Sequence, residues 1–159
     1  MVEGGKIDHA LHYGNGYRAV TDMLAMDQAV EETLRLDLET HVVFITADHD
    51  HVMVLAGYPP DGAGVFSPAG VDLNGKPYTS ILFANGPGGT VSPPDSLDEA
   101  TLLDPDFLER SGVPLDHETH GGMDVPLYAF GPRTVLDRIQ GSMDNTAVYG
   151  ILLDVIEGR

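Results

Sequence analysis

Histidine and acidic side chains that could share a metal ion occur in three separate segments of this sequence. In the first segment, Asp8 and His12 stand four residues apart, so on a helix both side chains leave the same face and can meet one cation. Glu3 lies across a Gly-Gly pair, which allows a sharp backbone turn and could aim this carboxylate at a neighbouring ion. The same spacing is common in ordinary helix-surface pairs, so this segment needs the support of the other two.

The second segment is Asp-His-Asp-His at residues 48–51, directly after a nearly continuous apolar run at residues 41–46. Such a run predicts a strand buried on both faces of a parallel sheet, and open α/β sheets bind their ligands just beyond the carboxyl ends of their strands. Four consecutive ionisable side chains are costly to bury without a counter-charge, which a bound cation supplies. An exposed polar turn is the alternative interpretation.

The third segment contains His120, which precedes a Gly-Gly pair and a predicted strand at residues 125–130. The chain has no cysteine, so any transition-metal ligands must be histidine and carboxylate. That ligand set favours zinc at a catalytic site, whereas a carboxylate with water is more typical of magnesium. Two cations about 4 Å apart would suit phosphoryl transfer, as one option among metal-assisted hydrolyses.

Helical periodicity predicts the elements that must position these side chains. Apolar residues recur at three- and four-residue steps over residues 17–36, which predicts an amphipathic helix that Asn15 could cap. A final helix is predicted from Asn145, with Asp144 or Asn145 itself as its cap, after a short helix from Pro132. A helix followed by a buried strand indicates an α/β fold.

Residues 58–114 are rich in glycine and proline and are predicted to form an irregular surface insertion. Within them we expect a strand at residues 78–84, a turn at residues 85–89 and a short helix at residues 102–110. The glycine-rich turn lacks the Lys-Ser/Thr ending of a phosphate-binding loop, so a plain turn is favoured.

Size and charge exclude several classes of function. A chain of 159 residues fits one domain, and no run approaches the roughly 20 apolar residues of a membrane span. The net charge of −17, from 25 acids and 8 bases, argues against nucleic acid or an anionic membrane as the partner. The chain as given also shows no secretory signal.

Three strings carry a resemblance to a known family: Val-Glu-Gly-Gly-Lys-Ile-Asp-His-Ala-Leu-His, Thr-Ala-Asp-His-Asp-His, and Glu-Thr-His-Gly-Gly-Met-Asp-Val-Pro-Leu-Tyr-Ala-Phe-Gly-Pro. They resemble, in the same order, the three carboxyl-terminal motifs of the alkaline phosphatases. The resemblance covers essentially the whole chain and is weakest at residues 58–114. It implies a partial three-layer αβα sandwich, with residues 1–159 as a single incomplete α/β domain from the carboxyl-terminal portion of such an enzyme.

The resemblance also implies a role for each candidate ligand. Two zinc ions and one magnesium ion are expected, and His51 would orient a carboxylate ligand of the first zinc. The implied ligands are Asp8, His12 and His120 for the first zinc, Asp48 and His49 for the second zinc, and Glu3 for magnesium. Asp50 occupies a position where the family often has serine or alanine, while His9, His41 and His117 match no ligand position.

The family's serine nucleophile is not found in this sequence, because no serine here follows an aspartate and precedes a small residue. The resemblance therefore implies metal-dependent phosphomonoester hydrolysis in which this chain supplies most zinc ligands, is inactive alone and needs a missing amino-terminal half. A periplasmic or secreted homodimer is the implied full-length state. The alternatives are a noncatalytic zinc-binding or split-protein fragment and a related phosphomutase-type metalloenzyme.

Overall fold

The computed structural model describes residues 1–158 and contains five α-helices and nine short strands within them. The helices are α1 (Gly5–His12), α2 (Gly16–Thr33), α3 (Glu99–Leu102), α4 (Arg133–Leu136) and α5 (Asn145–Glu157). The strands are β1 (Val43–Thr46), β2 (Asp50–His51), β3 (Met53–Leu55), β4 (Pro68–Val71), β5 (Pro77–Thr79), β6 (Ile81–Gly86), β7 (Ser111–Pro114), β8 (His120–Gly121) and β9 (Leu127–Phe130). The α/β class predicted from the sequence is confirmed.

The chain divides into two compact units, the first formed by residues 1–27 and 49–123 and the second by residues 28–48 and those from 124 onward. In the first unit, β6 lies between β3, with which it is antiparallel, and β7, with which it is parallel. The strands β4 and β5 form an antiparallel pair. A fourth pairing, between β2 and β8, is only two residues long and sets His51 opposite His120.

The core of the first unit lies between α1, the start of α2 and β6. Buried side chains from these elements form one cluster, namely Ala10, Leu11, Ala19, Ile81 and Phe83. Ile7, Met53 and Phe66 pack against it while partly buried. Burying apolar surface stabilises the unit by about 25 cal/mol per Å². Several of these side chains come from residues 58–114, which the sequence predicted as a surface insertion.

Asn15 joins α1 to α2, as its type suggested. Its Oδ1 accepts the backbone N–H of Arg18 at 2.7 Å, which caps α2. Its buried amide nitrogen donates to the carbonyl oxygens of Pro105 and Phe107, both at 2.8 Å. The cap predicted for Asn15 is confirmed, and the same side chain also holds the loop before β7.

In the second unit, β1 pairs antiparallel with β9, with Val43 opposite Phe130 and Thr46 opposite Leu127. The prediction that this apolar run forms a strand buried on both faces of a parallel sheet is wrong for the described residues. An apolar run indicates that a strand tends to be buried. It does not determine whether the partner strand runs parallel or antiparallel to it. Here Val43, Phe44 and Ile45 are only half-buried.

The helix α5 begins and ends with well-defined caps. Asp144 accepts the backbone N–H of Thr146 at 2.9 Å, so Asp144 rather than Asn145 is the cap. Gly158 ends the helix in the left-handed conformation (φ 70°) that glycine adopts without strain. Within residues 1–158 no helix combines the length and the apolar character needed to cross a membrane.

Three predicted elements of residues 58–114 differ from the structure. The turn predicted at residues 85–89 is the end of β6 followed by a 3₁₀-helix (Pro87–Gly89). The short helix is α3, which begins earlier than predicted because Asp98 caps it by accepting the N–H of Thr101. It ends at Leu102, where the predicted helix would begin. Pro105 then disfavours helical conformation at the residue before it. The single strand predicted at residues 78–84 is two strands, β5 and β6, which belong to different sheets.

Candidate metal centre

The helix α1 presents Asp8 and His12 on one face, as their spacing predicted. The Nε2 atom of His12 lies 3.3 Å from Oδ1 of Asp8. The opposite side of the helix is fixed because Ala10 and Leu11 are buried in the core. The amphipathic arrangement of this short helix therefore directs its acid and its histidine away from the core and toward the same point.

The short β2–β8 pairing brings two further histidines to that point. The Nε2 atoms of His51 and His120 lie 3.1 and 3.5 Å from Oδ1 of Asp8. The Nε2 atoms of His12 and His120 lie 3.1 Å from each other. The loop before β8 is held by Asn85, whose Oδ1 accepts the N–H of Thr119 at 3.0 Å. Three elements far apart in sequence thus deliver side chains to a single carboxylate oxygen.

The arrangement could hold a metal ion. One ligand atom from each of Asp8, His12, His51 and His120 lies within 4.8 Å of all the others. A regular tetrahedron with zinc–nitrogen bonds of about 2.0–2.1 Å has edges of about 3.3–3.4 Å. The edges among Asp8 Oδ1, His12 Nε2 and His120 Nε2 measure 3.3, 3.5 and 3.1 Å. These three edges are close to those of a tetrahedral metal site, and His51 Nε2 is a fourth nearby atom, 3.1 Å from Asp8 Oδ1.

His49 lies beside this group. Its ring stacks on that of His120, with centroids 3.5 Å apart and an interplanar angle of 18°. Its Nε2 is 3.8 Å from Oδ1 of Asp8, farther than the Nε2 atoms of the three other rings. The structure thus places His49 at the edge of the cluster, next to the residues predicted for the first zinc.

The remaining predicted ligands are not among the four clustered residues. Glu3 is exposed just before α1, with its carboxylate near Gly5. Asp48 follows β1 and belongs to the second unit. Asp50 places Oδ2 against Gly121, and this buried oxygen has no hydrogen-bond partner among the described residues. The assignments of Glu3, Asp48 and His49 to particular ions stay predictions.

Glu118 contacts two of the clustered histidines, and sequence reasoning gave it no role. It is 2% exposed, and its Oε2 accepts a hydrogen bond from Nδ1 of His51 at 2.7 Å. Its backbone oxygen accepts from Nδ1 of His12 at 2.6 Å. The only sequence signal was its place two residues before His120 in the third motif, and a glutamate at that place is ordinarily read as exposed.

The electrostatics of the site centre on Asp8. Burial acts to raise the pKa of its carboxyl group, but the charge of His12, a hydrogen bond from His51 and the charges of His51 and His120 outweigh that effect. The net result is a pKa below the usual value for aspartate. Asp8 is therefore ionised at neutral pH and can act as a metal ligand without first losing a proton.

Comparison with known proteins identifies the family of this chain. The family model described as "Alkaline phosphatase" matches residues 1–157. The tissue-nonspecific isozyme of alkaline phosphatase from Felis catus is 39% identical over 137 residues, and that from Rattus norvegicus is 40% identical over 139 residues. The Homo sapiens isozyme is 38% identical over 137 residues. Each alignment covers 83% of this chain and 26% of the relative, so the chain spans about a quarter of the length of these relatives. With a family match along nearly its whole described length, the chain belongs to the alkaline phosphatase family.

Proposed function

We propose that this chain provides most of the zinc ligands of a metal-dependent phosphomonoesterase. The observation that carries the proposal is the triangle formed by Asp8 Oδ1, His12 Nε2 and His120 Nε2, whose edges match those of a zinc tetrahedron. Zinc bound there would supply Lewis-acid chemistry to a phosphoryl group.

In this proposal each side chain has a defined task. Asp8, His12 and His120 hold the first zinc, and His51 orients Asp8 through the contact of 3.1 Å between His51 Nε2 and Asp8 Oδ1. Asp48 and His49 hold a second zinc, and Glu3 serves a magnesium site. The stacking of His49 on His120 supports neighbouring zinc sites, because it sets the predicted ligands of two ions side by side.

The serine nucleophile is proposed to come from a part of the enzyme outside residues 1–159, so this chain alone should not turn over. The substrate class is a phosphomonoester. A homodimeric full-length enzyme in the periplasm or outside the cell remains the prediction drawn from the family resemblance.

The test is a chimaera in which residues 1–157 replace the matching segment of the rat relative. The purified chimaera, loaded with zinc and magnesium, should hydrolyse a chromogenic phosphomonoester, and its His12→Ala variant should not. The isolated chain should bind zinc in a calorimetric titration and show no hydrolysis above background.

Three outcomes would contradict the proposal. Hydrolysis by the pure, metal-loaded chain alone through one of its own serines or aspartates would mean that no external nucleophile is needed. A folded chimaera that binds zinc but only moves phosphate within a substrate, without releasing it, would instead favour a phosphomutase. Zinc binding by the chain without any activity of a folded chimaera would favour the noncatalytic zinc-binding fragment.

A further inference from the structure

Glu118 is buried in the loop between β7 and β8 and is bonded to the end of α1 through its main chain. Its N–H donates to the backbone oxygen of His12 at 2.9 Å. Its own backbone oxygen accepts from Nδ1 of His12 at 2.6 Å. A carbonyl oxygen can only accept, so Nδ1 of His12 must carry the hydrogen. In the neutral ring the lone pair is then on Nε2, which faces Asp8 and His120.

The carboxylate of Glu118 performs the corresponding task for His51. Oε2 accepts the Nδ1–H of His51 at 2.7 Å, and Oε1 accepts the backbone N–H of Val52 at 2.6 Å. Both oxygens are therefore engaged, one of them by the main chain, and the carboxylate cannot rotate without breaking a buried hydrogen bond. The opposite side of the His51 ring, Nε2, is thereby held 3.1 Å from Oδ1 of Asp8.

We propose that Glu118 is the positioning residue of the cluster, its main chain fixing the ring of His12 and its carboxylate fixing the ring of His51, so that Nε2 of each faces Asp8 before metal binds. This inference rests on the proposed metal-binding function and goes beyond the ligands assigned above. Buried groups that orient metal-binding histidines typically contribute about 10- to 100-fold to metal affinity. Glu118 touches neither ion nor substrate in this scheme.

The experiment uses the zinc-free chain of 159 residues and two-dimensional NMR of the histidine ring nitrogens. In the unmodified protein, the spectra should show hydrogen on Nδ1 of both His12 and His51, with the His51 signal shifted downfield by its bond to a carboxylate. In Glu118→Gln the His51 Nδ1–H signal should move upfield, because an amide oxygen is a weaker acceptor. The His12 signal should stay in place, because its acceptor is the backbone oxygen that the substitution keeps.

Zinc affinity is the second measurement. Calorimetry should give a weaker zinc Kd for Glu118→Gln, by up to about 10-fold, because its carboxylate acts on the ion through His51 and Asp8. The matched control is Glu109→Gln, which makes the same change at another buried glutamate, one that bonds Thr79 instead of a clustered histidine. This control should leave the ring signals of His12 and His51 and the zinc Kd unchanged.

Three results would overturn the positioning role. They are hydrogen on Nε2 alone of His12 in the unmodified protein, an unchanged His51 signal in Glu118→Gln, or an unchanged zinc Kd in a folded Glu118→Gln. The first result is measured on the unmodified protein, so the positioning role can be tested even if Glu118→Gln does not fold. Failure of the unmodified chain to bind zinc would refute the proposed function instead, while the zinc-free ring spectra would still decide whether Glu118 orients the rings.

Discussion

The Nε2 atom of His12 lies 3.1 Å from the Nε2 atom of His120. Only one hydrogen fits between two nitrogens at this distance, so at least one of them must present a lone pair to the other. A cation held by both lone pairs would take the place of that hydrogen. The pair is therefore a point at which a metal ion and a proton compete, and zinc binding should release protons to the buffer.

Removing one member of the pair should abolish most zinc binding. His12→Ala deletes one corner of the ligand triangle, and we expect the zinc Kd to weaken by more than the roughly 100-fold that marks loss of an outer-shell residue. Calorimetry of the full chain measures this change. The control is His9→Ala on the same helix, because His9 is exposed and contacts Lys6 rather than the cluster. Equal zinc affinity in the two variants would argue against His12 as a ligand.

Zinc should stabilise the folded chain. Because the ligand atoms converge only when α1, β2 and β8 are in place, the folded state should bind the ion more tightly than the unfolded chain. At free zinc about 100 times Kd, the free energy of unfolding should rise by about 2.7 kcal/mol. Urea unfolding with and without zinc measures the change, and a chelator should reverse it. An increase that persists in His12→Ala would show that zinc acts elsewhere.

Glu109 should make stability depend on pH. The carboxyl group of Glu109 is buried, and this burial raises its pKa from 4.5 to about 7. The hydrogen bond that Thr79 Oγ1 donates to Glu109 Oε2 at 2.5 Å acts in the opposite direction but does not outweigh burial.

Since the folded pKa is raised, the folded protein holds this proton more tightly than the unfolded chain does. The contribution to stability is therefore fully present below pH 4.5 and is lost as the pH rises through about 7. A shift of this size corresponds to about 3 kcal/mol at most. Glu109→Gln, which is neutral at every pH, should lack that loss. The measurement is the difference in unfolding free energy between the two proteins across this range, and a difference independent of pH would contradict the raised pKa of Glu109.

Asn15 should be among the most sensitive polar residues for stability. Asn15→Ala removes the cap of α2 and leaves the carbonyl oxygens of Pro105 and Phe107 without their donor. Loss of a cap costs about 1 kcal/mol, and each lost hydrogen bond costs about 0.5–1.5 kcal/mol net, so a loss of about 2–4 kcal/mol is expected. Urea unfolding checks the value. Asn74→Ala in the exposed turn between β4 and β5 serves as control and should change stability by less than about 0.5 kcal/mol.

The local parts of the metal centre could be predicted from the sequence. Asp8 and His12 meet because helical geometry alone sets residues four apart on one face. The convergence of His51 and His120 depends on a two-residue strand pairing, too short to leave a pattern in the sequence. Residue types suggested a shared ion, but only the family resemblance assigned His120 to the same ion as Asp8. The burial of Glu118 could not be predicted, because it depends on the partners Val52 and His51 that only the folded chain supplies.

Predictions of the fold likewise agree with the structure where the signal lies in neighbouring residues and fail where it depends on residues distant in sequence. Predictions for α2 and α5 agree with the structure because an apolar face repeated over several turns is a strong local signal. The direction in which β1 pairs was predicted wrongly, because the apolar run of Val43–Thr46 contains no information about its partner. Residues 58–114 were predicted as surface from their glycine and proline content, yet they contribute Ile81 and Phe83 to the core.

The contact between His12 of α1 and His120 of β8 has a further consequence for the unfolded chain. These two residues are separated by 108 positions in sequence. An ion held by both would act as a cross-link that closes a long loop. The chain entropy restricted by such a loop is large, and it grows only slowly with further loop length. Zinc would thus work in this protein as a reversible counterpart of the disulfide bond that its cysteine-free sequence cannot form.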